Sequence, residues 1–350
     1  MNEADVYVLA DRALGAAVTH TSEDLPARES MLPRQLAPGD LEQHRRALTA
    51  YCYRMLGSPF EAEDAVQEAL VRAWRHRDRV EGRAAIRSWL FRIATNVCLD
   101  MLKSTQRRAR PMDLGPAREP IEANLNVPVE VRWIEPIPDS MVEDDPADIA
   151  IGRESVRLAL VAALQRLPAR QRAALILHDV LRWEASEVAE LLETSVPAVN
   201  SGLQRARATL GKHNLTSADP SPPLSPADRA LLERYVAAFE RYDLEALTAL
   251  IREDASQSMP PYDLWLRRRD DIFAWWFGPG IGCRGSRLLP TVTTNGCPAF
   301  GQYKPSPDGG YAPWALQVLE VSAGLIVELT FFLDTRRLFP LVGLPARLDT

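Results

Sequence analysis

The chain has 350 residues, of which 46% are hydrophobic and 25% are charged, and its formal net charge is −6 at pH 7. This length allows two or three separate cores, and no apolar run approaches the roughly 18 residues that a membrane span needs. The composition therefore excludes an integral membrane protein and is typical of soluble globular domains.

Cysteine usage excludes two further kinds of site. The four cysteines are Cys52, Cys98, Cys283 and Cys297. They lie far apart, without paired spacing or neighbouring histidines, so they do not suit a disulfide framework or a metal centre. The N-terminus has no basic segment followed by a short apolar one, as a secretory signal would. We therefore expect reduced thiols, no metal, no cofactor, no membrane partner and a cytoplasmic protein.

The charges are segregated by sign along the chain. From residue 83 to residue 110 the basic residues are Arg83, Arg87, Arg92, Lys103, Arg107, Arg108 and Arg110, against only Asp100. Residues 113–148 reverse the sign and are rich in Asp and Glu. Because electrostatic footprints are local, the negative net charge does not exclude a nucleic-acid partner.

The first predicted domain is helical and covers residues 36–111. Residues 1–35 precede it and show no helical period, so we expect a poorly ordered N-terminal extension there. The first helix of the domain begins near Asp40 and ends at Gly57, since glycine commonly follows the last turn of a helix.

The second predicted helix begins at Ser58. Ser58, Pro59 and Glu61 form a capping box, in which the serine hydroxyl accepts from the Glu61 amide and the carboxylate reaches back. Apolar residues follow at three-four spacing and end at Trp74. They leave a polar face on the opposite side, which we expect to bind a partner: Asp64, Gln67, Glu68 and Arg72.

The third predicted helix runs from about Ala84 to Arg108 and is stopped by Pro111. An apolar stripe faces its core, and the polar side is strongly basic. The candidate binding residues on and beside that side are Arg92, Asn96, Lys103 and Arg107. Residues 112–146 are rich in proline and acid, which predicts a linker that belongs to no core.

A second helical domain is predicted over residues 147–211. After a break at Pro168 it contains a short helix, Ala185–Leu192, a three-residue turn, and a final helix from Val196 to about Leu210. This is helix-turn-helix spacing. Small and amide side chains at the start of the second helix suit base edges in a major groove, and arginines suit phosphates. The candidate DNA contacts are Ser195, Ala198, Asn200, Ser201, Gln204 and Arg205, with Arg207 beside them. On periodicity alone, an ordinary helical hairpin with a solvated polar face remains the alternative.

The third domain differs in character. A second proline- and serine-rich linker is predicted over 212–225, and a domain over 226–340, followed by a tail over 341–350. Helices from Pro226 to Tyr242 and from Leu244 to Ile251 precede a run of alternating segments at 286–294, 298–303, 313–321 and 325–333. Helices followed by strands indicate an α+β fold.

Two long segments resemble one family. The segments YCYRMLGSPFEAEDAVQEALVRAWRH and RSWLFRIATNVCLDMLKSTQRR resemble region two of the bacterial sigma factors of the extracytoplasmic-function group. The segment LVAALQRLPARQRAALILHDVLRWEASEVAELLETSVPAVNSGLQRARATL resembles region four of the same family. The resemblance implies a factor that binds core RNA polymerase, selects promoters and helps to melt the −10 region.

The resemblance also implies a role for each surface. The Asp64, Gln67, Glu68 and Arg72 face resembles the patch that grips the clamp of the β′ subunit, and region four is expected at the β flap. The third helix, with Arg92, Asn96, Lys103 and Arg107, resembles the element that opens the −10 region and captures a flipped base. The helix-turn-helix would bind the −35 element. The acidic linker would thread the RNA path of the polymerase, and simple solubility is the alternative.

Two positions depart from the family pattern. Asn200 stands where a lysine is frequent, which puts the −35 sequence in doubt. Glu184 stands where a capping serine is usual, which weakens the cap by about 1 kcal/mol.

Residues 226–340 resemble the SnoaL-like fold, a cone of helices on a curved sheet, which is fused to a subgroup of these sigma factors. The implied architecture is therefore multidomain, with two all-α helical domains followed by an α+β SnoaL-like cone. The aromatic residues that either line a pocket or form core are Trp265, Trp276, Phe300 and Trp314. No acid–base pair matches those of enzymes of this fold, and Asp254, Asp263 and Asp271 are interpreted as loop or cap residues. We expect no catalysis, and a regulatory domain that docks on regions two and four or binds a small ligand. An anti-sigma factor is a further expected partner.

Three classes of protein remain open. They are a sigma factor with a regulatory domain, a SnoaL-like enzyme or ligand sensor with a DNA-binding arm, and a conventional repressor or activator. A repressor needs neither the polar face on the second helix nor a basic melting helix, so the sequence favours the sigma factor.

Overall fold

The computed structural model describes residues 37–79, 83–103, 107–142, 157–211 and 224–349. These residues belong to one compact unit, Gln35–Thr350. The predicted N-terminal extension, the end of the acidic linker and most of the second linker lie outside the described residues. No helix in the described residues is long and apolar enough to cross a membrane.

The first helices have the expected order. They are α1 (Pro38–Glu42), α2 (Arg45–Leu56), α3 (Pro59–Arg75) and α4 (Arg83–Lys103). Gly57 ends α2 in the left-handed conformation, with φ of 75°, and the Ser58 hydroxyl accepts from the Glu61 amide at 3.3 Å. The second half of the predicted capping box is wrong, because the Glu61 carboxylate binds Arg108 and Arg132 instead, at 2.9 and 2.7 Å.

The third helix is shorter than predicted. It ends at Lys103, and Arg107 lies in irregular backbone beyond that end. Arg108–Ala109 then forms a short strand, β1, which pairs in parallel with Arg132–Trp133, β2. The basic run at residues 107–110 therefore does not continue the face of α4.

Residues 107–142 are called the linker segment below; they comprise the last five residues of the predicted first domain and the described part of the acidic linker, 112–142. Ile134 and Ile137 of this segment are buried and join the apolar cluster of α2–α4. The Glu135 amide donates to the Gly57 carbonyl at 3.0 Å. The prediction of a linker that belongs to no core is wrong for this segment, because its apolar residues fill a groove on the helices.

The second set of helices is α5 (Leu158–Gln165), α6 (Ala169–Leu175), α7 (Ala185–Leu191) and α8 (Val196–Gly211). A π-helical turn, Ile176–Val180, extends α6. These helices share one apolar cluster with α2–α4. We call residues 37–103 and 157–211 together the helical half.

A buried arginine joins the two sets of helices. The Arg172 guanidinium on α6 donates to the Met55 carbonyl at the end of α2 and to the Gln165 side chain. Burial lowers the pKa of Arg172 to about 10, so the side chain remains charged at neutral pH. A buried charge is costly unless its donors are used, and this one binds carbonyls on both sets of helices.

Residues 224–349 form the α+β domain whose sequence resembles the SnoaL-like fold, and it is called the SnoaL-like domain below. Its helices are α9 (Pro226–Arg241), α10 (Leu244–Thr248), α11 (Arg269–Phe277) and α12 (Thr335–Leu341). Its strands are β3 (Ile251–Ser258), β4 (Trp265–Arg267), β5 (Arg287–Pro290), β6 (Ala299–Pro305), β7 (Tyr311–Ser322) and β8 (Leu325–Phe332).

These strands form a sheet of order β4-β3-β8-β7-β6-β5, in which only β3 and β8 run parallel. One apolar cluster lies between the sheet and helices α9–α11. The other contains Phe332 and α12, and Phe60 and Leu158 of the helical half pack against it. The second cluster therefore continues into the interface between the SnoaL-like domain and the helical half.

The predicted α+β class of this domain is confirmed, but four of its elements were missed, among them the helix α12. Ile251, predicted as a helix end, begins β3, and neither β4 nor α11 was predicted. Asp254 lies on β3 rather than in a loop. The predicted tail is also packed, since Val342 and Leu344 are buried and Leu348 pairs with Tyr311.

Gly57→Ala should lower the free energy of unfolding by about 1–2 kcal/mol, because an L-residue with a side chain is strained in the left-handed region. A Cβ atom at this position would also lie 3.2 Å from Arg108 Cδ. Urea denaturation followed by circular dichroism measures the change.

Gly202→Ala is the matched control. Gly202 lies inside α8, and a Cβ atom there meets no atom within 4 Å. This substitution should raise the stability by about 0.5–1 kcal/mol. Equal effects of the two substitutions would contradict the assignment of strain to Gly57.

Candidate nucleic-acid interface

The helix-turn-helix presents an open face. Helices α7 and α8 are joined by a turn in which Glu193 takes a positive φ of 51°. Val199, Leu203 and Ala206 of α8 are buried against the other helices. The candidate DNA contacts are all exposed: Ser195, Ala198, Asn200, Ser201, Gln204 and Arg205. Helical periodicity thus places the predicted residues together on one side of α8.

Hydrogen bonds divide these residues into two groups. The Ser195 hydroxyl accepts from the Ala198 amide at 3.3 Å and caps α8. Arg205 donates to the Ser201 hydroxyl at 2.7 Å. The side chains of Asn200 and Gln204 have no hydrogen-bond partner among the residues that the structure describes. Their amides are therefore free to bind base edges without first breaking an internal bond.

The other predicted phosphate contact, Arg207, is held internally. Its guanidinium donates to Asp179 at 3.0 Å. Burial would raise the pKa of Asp179, but hydrogen bonds from Arg207 and His178 outweigh it and lower that pKa. Arg207 is therefore paired at neutral pH, and it holds α8 to the π-helical turn that follows α6.

The N-terminus of α7 is capped by the Glu187 carboxylate, where the family usually has a capping serine at position 184. The Glu184 amide donates to the Glu187 carboxylate at 2.8 Å. One of the free amides at the start of α7 is thus bound despite the absence of a capping serine.

The polar side of α4 faces partly to solvent and partly to α7. Asn96 and Lys103 are exposed, and Lys103 binds Asp100 at 2.8 Å. Arg92 instead binds Glu190 of α7 at 2.9 Å. The Glu190 side chain is 80% exposed, so this ion pair is worth less than about 1 kcal/mol. A nucleic acid can therefore displace it at little cost.

Arg107 lies apart from these three residues. It is in the linker segment, near Arg166 and Asp113. Burial and the neighbouring Arg166 lower the pKa of Arg107. Its location contradicts the prediction that it shares the surface of the third helix.

The polar face predicted on α3 is present and exposed in the structure. Asp64, Gln67 and Glu68 are exposed, and Arg72 binds Glu68 at 2.6 Å. Trp74, which was assigned to the buried stripe, is 39% exposed.

Sequence reasoning also missed two apolar residues on this face. Val71 and Trp74 are exposed, and the Arg77 guanidinium lies 4.4 Å from the centre of the Trp74 ring. They lie four and seven residues after Gln67, on the same side of the helix. That spacing was the available signal for a face with an apolar end.

Comparisons with known proteins agree with this geometry. The family Sigma-70 region 2 matches residues 41–108, and the family Sigma-70, region 4 matches residues 157–210. The chain is 46% identical over 311 residues to the ECF RNA polymerase sigma factor SigG of Mycobacterium tuberculosis, covering 87% of this chain and 82% of SigG. The chain belongs to the extracytoplasmic-function RNA polymerase sigma factors.

Two further similarities concern SigJ of Mycobacterium tuberculosis. This sigma factor is 32% identical to SigJ over 219 residues, 62% of each chain. The crystal structure of SigJ matches it with a TM-score of 0.57 at 24% identity, over 87% of this chain and 97% of that one. SigJ and this chain therefore share one fold, in which the helical half is followed by the SnoaL-like domain.

Only two of the four aromatic residues predicted for a pocket, Trp276 and Trp314, border the same cavity. Trp265 donates to the Gly115 carbonyl of the linker segment at 2.9 Å. Phe300 is core, 5% exposed, with Tyr235 beside it. Trp276 and Trp314 border an internal cavity of about 30 Å³, which is close to the size of a single water.

A chain of hydrogen bonds fills the interior of the cone. Tyr235 donates to Gln317 at 2.8 Å, Gln317 to Gln302 at 2.9 Å, and Gln302 to Ser286 at 3.1 Å. Each amide bonds its neighbour, so the polar groups of the interior satisfy one another.

The SnoaL-like domain binds the linker segment at several points. Arg118 binds Asp263 at 2.9 Å. Asn295 donates to the Tyr53 hydroxyl at 2.8 Å, and its side-chain oxygen accepts from the Ile137 amide at 2.9 Å. The interpretation of Asp263 as a loop residue is thus refined, because its carboxylate holds the linker segment.

A largely buried charge cluster lies in the same interface. Glu320 on β7 and Glu328 on β8 are cross-strand neighbours. Arg157 binds Glu320 at 2.9 Å, and Arg110 lies 3.6 Å from Glu328. Burial raises the pKa of Glu328, Arg110 opposes that rise, and the nearby Glu320 and Asp113 add to it. Ionised Glu328 therefore costs stability at neutral pH.

Glu328→Gln should stabilise the protein at pH 7.5, and the gain should vanish as the pH falls below about 4, where an unfolded glutamate is protonated. Deprotonation of Glu328 at higher pH lowers the free energy of unfolding of the parent, because the folded state binds the Glu328 proton more tightly than the unfolded state does. Thermal unfolding at a series of pH values measures the difference between variant and parent.

Glu253→Gln is the control. The Glu253 side chain is 76% exposed on the same sheet, and its substitution should change stability by less than about 0.5 kcal/mol at every pH. A Glu328→Gln gain that does not depend on pH would contradict the assignment to an ionised carboxylate.

Proposed function

We propose that this sigma factor binds core RNA polymerase, directs it to promoters and helps to melt the −10 region. The observation that carries the proposal is the combination, in one chain of this family, of an open recognition face on α8 and a basic, partly exposed face on α4. A repressor needs only the first of these. An enzyme with a DNA-binding arm needs neither face on α3 and α4.

The polymerase contact is assigned to α3. Asp64, Gln67, Glu68 and Arg72 supply charge and hydrogen bonds toward the β′ clamp. Val71 and Trp74 extend this face with exposed apolar surface, which is what buried centres of protein interfaces contain. Region four, residues 157–210, is assigned to the β flap. The similarity to SigG, an RNA polymerase sigma factor, supports the assignment.

The promoter contacts are divided between α4 and α8. Asn96 offers an amide to the edge of an extruded base, and Arg92 and Lys103 lie on the same helix for the backbone. On α8, Asn200 and Gln204 are assigned to bases of the −35 element and Arg205 to its phosphates. Arg107 is assigned to the −10 side only as a backbone contact, because it lies beyond the end of α4.

The SnoaL-like domain is assigned a regulatory role. Its bonds hold the linker segment, which the polymerase RNA path would otherwise receive. The Arg92–Glu190 ion pair also occupies part of the α4 face. Promoter binding therefore requires a rearrangement, and the domain biases it by its affinity for the linker segment.

We further propose that the domain is not an enzyme and that the protein acts in the cytoplasm, where its polymerase is found. The hydrogen-bond chain from Tyr235 to Ser286 supports a structural role for the polar residues of the cone. We propose the domain boundaries as 36–111 for region two, 147–211 for region four and 226–349 for the SnoaL-like domain.

Asn96→Ala should lower promoter-dependent run-off transcription with core polymerase by about fivefold or more, which is the loss expected when a contact to one unstacked base is removed. Binding to core polymerase, measured by native gel shift, should not change, because Asn96 lies on α4 and is not among the α3 residues assigned to the polymerase.

The matched control is Asn126→Ala, which removes an exposed amide from the linker segment. Its transcription should equal that of the parent chain. An Asn96→Ala chain that transcribes normally would refute the base contact, and no promoter-dependent transcript from the parent or from a chain without the SnoaL-like domain would refute the function.

A chain that ends after Gly211 should differ from the full chain by more than about threefold in promoter-dependent transcription, because a regulatory coupling is typically worth that much or more. The truncation keeps the whole apolar cluster of the helical half. Arg118→Ala in the full chain should shift the yield in the same direction, since it breaks the bond to Asp263. Equal yields from the full and truncated chains would contradict the regulatory role.

A further inference from the structure

A cavity of about 630 Å³ lies between the linker segment and the SnoaL-like domain. One wall is made by residues 133–135 together with Arg108. The opposite wall is made by residues 260–262, 313–314 and 332–335. This volume is that of a small-molecule site, and interfaces between domains are common places for such sites. It is about twenty times the volume of the cavity inside the cone.

The walls of this interdomain cavity are rich in aromatic rings. Trp133 comes from the linker segment, and Tyr262 and Trp314 come from the SnoaL-like domain. Trp314 is 40% exposed, which is costly for so large an apolar side chain. The ammonium of Lys304 already lies 3.8 Å from the centre of its ring. The indole thus interacts with a cation in this structure.

Two of the charged residues in the cavity walls, Arg108 and Glu135, are held in ion pairs. Arg108 binds Glu61 at 2.9 Å, and its other side-chain nitrogen lies 3.4 Å from Glu135. Glu135 also binds Arg337 at 2.8 Å. These charges are therefore already paired.

Asp334 is the exception among the carboxylates of the cavity walls. It is the residue that precedes α12, yet its side chain makes no capping hydrogen bond. Its nearest ion-pair contact is with Arg337 at 3.8 Å, a distance beyond that of a hydrogen bond. Since Arg337 donates to Glu135, Asp334 retains acceptor capacity at the rim of the cavity.

We propose that this interdomain cavity binds a small organic amine with an apolar ring system. The ring packs among Trp133, Tyr262 and Trp314, and the ammonium binds Asp334. Aromatic faces attract cations, and a carboxylate at the rim supplies the complementary charge. An anion of the same shape is disfavoured at the rim, because it would meet the carboxylate of Asp334.

The position of the cavity means that amine binding affects the contact between the linker segment and the SnoaL-like domain. Its walls come from both sides of the contact between the linker segment and the SnoaL-like domain. A ligand that touches both walls stabilises that contact by mass action. The amine would therefore favour the arrangement in which the linker segment is held. This consequence rests on the proposed function, whereas the binding itself does not.

The test uses three probes that share one ring: 2-naphthylmethylamine, 2-naphthalenemethanol and 2-naphthoate, which are cationic, neutral and anionic at pH 7.5. Isothermal titration calorimetry measures their binding to the full chain, without polymerase or DNA. The amine should bind about fivefold or more tightly than the alcohol, and the anion should bind most weakly. An anion that binds as tightly as the amine would overturn the proposal.

Substitutions locate the site. Asp334→Asn should reduce the affinity for the amine to that for the alcohol and leave the alcohol unchanged. Trp314→Ala should weaken all three probes by about tenfold or more, since it removes a wall of the cavity. Val129→Ala is the control, because Val129 of the linker segment is 98% exposed and does not line the cavity, and it should leave the affinity of all three probes unchanged. Amine binding that survives Asp334→Asn at full strength overturns the proposal, even if Trp314→Ala fails to fold.

Hydrogen exchange separates an interdomain site from a surface site. Bound 2-naphthylmethylamine should slow exchange both at residues 132–135 and at residues 332–338. Protection on one side only would overturn the interdomain location. Because these measurements contain no promoter or polymerase, their failure is distinguishable from failure of the transcription experiment.

Discussion

The relative arrangement of region two, the linker segment and the SnoaL-like domain depends on the contacts of one carboxylate, that of Glu135. It accepts hydrogen bonds from the Ser58 hydroxyl at the start of α3 and from Arg337 of the SnoaL-like domain, and it lies 3.4 Å from Arg108. Its backbone is tied as well, since its carbonyl accepts from Tyr53 at 2.9 Å. A half-buried carboxylate is stable only when such donors surround it. One residue of a predicted linker thus holds region two, the linker segment and the SnoaL-like domain together.

This anchoring determines which surfaces are open. With the linker segment held, α5–α8 pack against α2–α4, and Glu190 reaches Arg92. The recognition face of α8 and the polar face of α3 remain exposed. The contacts that close the arrangement differ in strength: the Arg92 pair lies at the surface and is weak, whereas Arg172 and Asn295 are buried and make several bonds each. The contacts of the linker segment are therefore the stronger ones, and the proposed regulation is assigned to them rather than to the helices α4 and α8.

Much of the helical half was predictable from sequence because its signals are local. Gly57, Pro168 and the turn before Val196 mark helix boundaries, and three-four spacing separates buried from exposed residues, so the six candidates on α8 share one face. The errors have identifiable causes. Trp74 was assigned to the core because an aromatic residue fits the apolar period. Glu61 was assigned to a cap because its basic partner, Arg108, lies 47 residues away. The strands β3 and β4 were missed because their apolar residues alternate weakly.

The amino-acid sequence by itself determined the family, the order of the regions, the helix-turn-helix and the exposed faces to which the polymerase and promoter contacts are proposed to belong. These depend on residue identity and on spacing within single helices, which neighbouring residues along the chain establish. Only the tertiary structure decided that the acidic linker is packed, that Arg92 and Arg207 are paired, and that the aromatic residues of the SnoaL-like domain serve separate roles. Each of these depends on contacts between residues distant in sequence, whose energies are set by burial and by the partners that folding brings within reach.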